Sequence, residues 1–138
     1  MAKQESHDML YKMASIGYFI TMEENGKQES PKLKVFVCGN EDFAIPHMHI
    51  WDDETDGKKM HTCVCLNQIE YFHHTGKEDI LTPKQKKFLF DFLKEECKKN
   101  KRYKTNWEYA LSMWNDNNTD KTQVDETLEV LDYTKLKD

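Results

Sequence analysis

The sequence predicts an α+β fold: a small antiparallel sheet of three to four strands, followed by two helices packed on one of its faces. Two observations carry this expectation. Between residues 32 and 66, runs with the period-two alternation of strands are separated by Gly, Asn and Asp clusters. Beyond residue 81 the period becomes helical, and each of two apolar stripes follows a threonine N-cap with Gln or Glu three residues on.

The 138 residues fit one domain with a single core, with an N-terminal extension over about 1–15 and a loosely packed acidic tail over about 117–138. Aromatic residues make up 12% of the chain, which argues against disorder, and a mean hydropathy of −0.89 implies a generous polar surface. The net charge of −5 excludes a globally basic nucleic-acid binder. No run reaches the length of a membrane span, and the start lacks the apolar segment of a secretory signal. The expected location is therefore cytoplasmic, without membrane contact. In that reducing setting Cys38, Cys63, Cys65 and Cys97 are read as free thiols, with no C-x-x-C pair among them.

In chain order, residues 9–22 are apolar but fit either a short helix or a strand. Glu23 to Pro31 reads as a polar loop, and Lys32–Cys38 as a β-branched strand ended by Gly39-Asn40. Phe43 to Asp52 reads as a second strand entered through Pro46, with His47, His49 and Trp51 on one side and Met48 and Ile50 on the other. Asp52 to Gly57 then looks like a tight acidic turn. His61 to Leu66 resumes a strand with His61, Cys63 and Cys65 on one side, and Gln68–His74 is either a further strand or a lead-in loop. Thr82-Pro83-Lys84-Gln85 opens the first helix, whose stripe is Phe88, Leu89, Phe92 and Leu93. Thr105-Asn106-Trp107-Glu108 reads as a second capping box, before a stripe of Trp107, Ala110, Leu111 and Trp114.

The chemistry concentrates on the two middle strands. If their register places His47 and His49 beside His61, Cys63 and Cys65, the nitrogen and sulfur donors preferred by zinc converge. His47, His49, His61 and Cys63 are then the candidate ligands, with zinc the implied cofactor and Asp52 or Asp53 the candidate general base. The same residues without metal would make a hydrogen-bonded histidine face, and a one-residue slip in pairing would separate the two sets. His47, His49 and Trp51 would floor a polar ligand pocket, over which His73 and His74 could close. Residues 84–104 hold nine basic and three acidic residues, peaking at Lys98, Lys99, Lys101, Arg102 and Lys104. That corner is a candidate phosphate grip or a solvated helix end. No G-x-S-x-G, P-loop or dinucleotide fingerprint is present.

The Pro46-His47-Met48-His49-Ile50 strand, the Leu81-Thr82-Pro83 helix start and the late Trp114 resemble a small bacterial family, domain of unknown function 4160, over about residues 33–117. The family's motif has Val where Ile50 stands here. The resemblance implies a compact α+β protein of bacterial or phage origin, acting with a partner in a toxin–antitoxin-like or defence setting. The reading is thus a small binding or regulatory module with a His-lined pocket, taking a protein partner or small ligand and open to self-association. A metal-dependent hydrolase or nuclease is the alternative, and nucleic-acid binding through the Lys98–Lys104 corner the third.

Overall fold

The computed structural model describes residues 33–37, 43–55, 58–73, 76, 78–98 and 100–138, and only the backbone of 52–55, 58 and 59. The expectations for residues 1–32, Cys38, His74 and Lys99 lie outside these.

Three antiparallel strands form the sheet, in the order β1 (Leu33–Phe36), β2 (His47–Thr55), β3 (Lys58–Cys65). Val35 lies opposite Ile50, and His47, His49 and Trp51 lie opposite Cys65, Cys63 and His61. Because opposite residues share a face, this register puts the apolar set on one side and the imidazoles and thiols on the other.

The hairpin is longer than its sequence suggests. Asp52, Asp53, Glu54 and Thr55 belong to β2 rather than to a turn, with Asp52 opposite Met60 and Thr55 opposite Lys58. A register shift between Asp52 and Thr55 absorbs the mismatch. Ladder pairing with the residues leading into β3 outweighs the poor strand propensity of Asp and Glu. At the other end, residues 43–45 form a bend, so β2 starts directly after Pro46. Residues 67–74 add no fourth strand among those described; Tyr71 makes a single bridge to Val64.

Two helices follow, α1 (Pro83–Lys94) and α2 (Asn106–Asn117). The capping box of α1 is complete: Thr82 Oγ1 accepts from the Gln85 amide at 3.1 Å and Gln85 Oε1 from the Thr82 amide at 2.9 Å. The cap of α2 is not reciprocal. Thr105 Oγ1 accepts from the Glu108 amide, but the Glu108 carboxylate turns one residue further back, to the Lys104 amide at 3.0 Å.

Met48, Ile50, Val64 and Leu66 from the sheet, Leu89 and Leu93 from α1, and Trp107, Ala110, Leu111 and Trp114 from α2 form one buried core. On α1, Leu89 and Leu93 reach this core fully, whereas Phe88 and Phe92 are half-buried at its edge and Gln85 and Lys86 are buried instead. Burying one such aliphatic side chain stabilises the fold by about 1.5–3 kcal/mol.

The acidic tail is docked, contrary to the loose attachment its composition suggests. Trp107 Nε1 donates to the Leu128 carbonyl at 2.7 Å and Trp114 Nε1 to the Thr122 carbonyl at 2.8 Å. Asn115 pairs with the Val124 backbone through both its amide nitrogen and its amide oxygen, each at 2.8 Å. A short 3-10 turn (Tyr133–Lys135) then inserts Tyr133, whose hydroxyl donates to the Cys65 carbonyl, and Lys86 Nζ donates to the Leu136 carbonyl at 2.8 Å. Buried indole N–H groups need acceptors, and the carbonyls of the tail supply them.

Candidate metal centre

Alternation along β2 and β3 brings His49, His61 and Cys63 to one point on the face of the sheet opposite the one that carries Met48, Ile50 and Val64. His49 Nδ1 lies 3.1 Å from His61 Nε2 and 3.3 Å from Cys63 Sγ, and His61 Nε2 lies 3.9 Å from Cys63 Sγ. Donors around a tetrahedral zinc ion stand about 3.3 Å apart for two nitrogens and about 3.6 Å for nitrogen and sulfur. The circle through the three observed atoms has a radius of about 2.0 Å, so an ion roughly 2.0–2.3 Å from each would sit close to their plane. These donors are close enough together to hold one metal ion. Without a metal, one nitrogen must carry the proton that bridges the two imidazoles; with a metal, both present lone pairs.

The surroundings are aromatic and mostly dry. Cys63 is fully buried and His49 nearly so, while His61 and Trp51 form the half-exposed side. The Trp51 ring lies against His61, with centroids 4.1 Å apart and planes 20° off parallel. Asp79 holds His61 from outside the sheet: its amide donates to the His61 carbonyl at 2.9 Å, and its carboxylate accepts from the His61 amide at 3.1 Å.

His47 shares this face but not the cluster, which corrects the four-ligand set expected from sequence. Its Nδ1 is 2.7 Å from the Ile45 carbonyl two residues back, and its ring stacks on Phe72 at 4.3 Å. The contacts hold the imidazole at the buried end of the strand, 5.2 Å from the His49 ring between centroids. Nor is His47 the floor of an open pocket, since it is wholly buried. Cys65, opposite His47, accepts from Gln68 Nε2 at 3.8 Å. Burial pushes the Cys65 thiol above its ordinary range, partly offset by the Gln68 hydrogen bond.

Of the remaining candidates, His73 and the basic residues lie outside the donor group. Asp52 and Asp53 are placed only as backbone positions of β2. His73 is exposed, its Nδ1 3.9 Å from a Glu78 carboxylate that is itself buried, so it does not close over the donors. Lys98, Lys101, Arg102 and Lys104 are exposed on a loop tied by the Cys97 amide to the Lys104 carbonyl. Among the described residues, Cys63, Cys65 and Cys97 form no disulfide.

No family model, no curated protein and no solved structure matches this chain. Among the described residues no helix is long and apolar enough to cross a membrane.

Sequence reasoning did not single out Phe72, Gln68, Glu78 or Asp79. Phe72 was legible only as an apolar residue, and the segment carrying Glu78 and Asp79 has neither period nor motif. Their roles follow from where the chain returns beside β3.

Proposed function

We propose that this chain is a small metal-binding module whose His49–His61–Cys63 centre takes one zinc-class divalent ion. The observation that supports this is the mutual spacing of the three donor atoms, 3.1, 3.3 and 3.9 Å. Two imidazoles and a thiolate suit zinc better than magnesium or calcium, which prefer oxygen. A divalent ion bound there would displace the Cys63 proton and hold its sulfur as a thiolate.

Elemental analysis of the purified chain after zinc loading and desalting tests the reading. About one zinc per chain is expected, lost in His49→Ala and in Cys63→Ser and kept in His73→Ala, which lies outside the cluster. A folded chain that holds no zinc, or zinc retained by both ligand variants, overturns it.

The count of three protein donors also favours the hydrolytic reading, because catalytic zinc sites leave one position for water or substrate. That reading needs a general base, with Asp52 and Asp53 its candidates. Zinc-dependent turnover of a phosphodiester or peptide substrate, abolished in Asp52→Asn or Asp53→Asn, is its test.

A further inference from the structure

We infer that the fourth coordination position of this centre takes an anionic oxygen ligand, a carboxylate or a phosphate, with the Trp51 indole N–H as its hydrogen-bond donor. The inference rests on the metal reading above and goes beyond it by naming the chemistry of what the centre binds.

Three observations lead to it. First, the described residues supply three donors and no fourth within the cluster. His47 and Cys65 stand outside that group: His47 Nδ1 is held by the Ile45 carbonyl and its ring lies on Phe72, and Cys65 Sγ accepts from Gln68. Second, the donors differ in access. Cys63 and His49 are buried, whereas His61 and Trp51 are half-exposed, so a ligand from solvent meets the centre on the Trp51 side. Third, Trp51 Nε1 is buried yet has no hydrogen-bond partner among the described residues, while its ring lies 4.1 Å from that of His61. A buried N–H without an acceptor is costly, and native structures rarely leave one so unless a ligand or ion supplies the acceptor.

The charge balance selects the ligand class. A divalent ion with one thiolate and two neutral imidazoles keeps one net positive charge. That charge and an adjacent N–H donor together favour an anionic oxygen over a neutral or cationic group.

Cobalt(II), whose visible absorption reports the number and type of ligands, makes this measurable. The Co2+-loaded chain is titrated with acetate in one arm and inorganic phosphate in the other. A saturable change in the cobalt bands in at least one arm is expected, and the arm that responds at lower concentration separates carboxylate from phosphate chemistry. At saturating Co2+, Trp51→Phe keeps the aromatic packing but removes the N–H, and should weaken the anion about tenfold. Cobalt that binds but shows no response to either anion overturns the inference and leaves the metal reading intact. An unchanged anion affinity in Trp51→Phe overturns the role given to Trp51. Failure of Co2+ to bind overturns both the metal reading and this inference.

Discussion

Replacing Tyr133 by Phe removes one oxygen atom and tests whether the tail is part of the fold. Tyr133 is fully buried, and its hydroxyl donates to the Cys65 carbonyl at the end of β3. The change deletes that bond while keeping the ring, so no large cavity forms. Losing one buried hydrogen bond and leaving its partner to find another costs about 1–2 kcal/mol. For a chain of this size, roughly 3 °C of Tm accompanies each kcal/mol, so a fall of about 3–6 °C is expected in thermal unfolding followed by circular dichroism. Tyr133→Ala also removes the ring and should cost about 3–5 kcal/mol.

The same residue makes a prediction in alkali. Burial raises the Tyr133 phenol well above its ordinary 10.0. The folded chain therefore keeps that proton above pH 10, where the unfolded chain releases it. The resulting stability is complete below about pH 10 and declines as pH climbs from there towards the folded value. Tyr133→Phe should remove part of this alkaline loss, shallowing the fall of Tm above pH 10. A Phe variant that melts with the unsubstituted chain and keeps the same alkaline profile would show that the tail does not dock through Tyr133.

Zinc should stabilise the chain by about 2.7 kcal/mol when free zinc is at a hundredfold excess over Kd, raising its Tm further as the concentration rises, with no shift in Cys63→Ser. Its affinity should fall as pH drops from 8 to 5, because protons compete for the imidazoles and the thiolate, which isothermal titration at several pH values would read. Thr82→Ala breaks the complete capping box of α1 and should lower stability by about 1 kcal/mol in urea unfolding, with the m-value unchanged. Should the Lys98–Lys104 corner bind nucleic acid, affinity for single-stranded RNA would collapse between 50 and 200 mM salt; undetectable or salt-insensitive binding in fluorescence anisotropy would remove that role.

Much of the fold was legible because it depends on local rules. A period of two placed Met48 and Ile50 on one side of a strand and His47, His49 and Trp51 on the other, and the sheet keeps that division. Thr82-Pro83-Lys84-Gln85 marked a helix start through a steric and hydrogen-bonding pattern contained in four residues. The Trp107, Ala110, Leu111 and Trp114 stripe is buried as its spacing implies.

Long-range packing decided the rest. Alternation says which residues share a face within each strand, but only pairing between β2 and β3 sets His49 opposite Cys63 and Trp51 opposite His61. His47 has the same residue type and parity as His49, yet a carbonyl two residues back and the ring of Phe72 take it out of the donor set. The tail reads as a solvated acidic segment because its charges are local, whereas the buried indoles and the Cys65 carbonyl that hold it are far away in sequence. The chain itself determined which side chains carry chemistry and which face each strand presents, since covalent geometry sets both. Which three of them meet was settled by tertiary structure, because donor spacing depends on strand register and on groups brought in from distant parts of the chain.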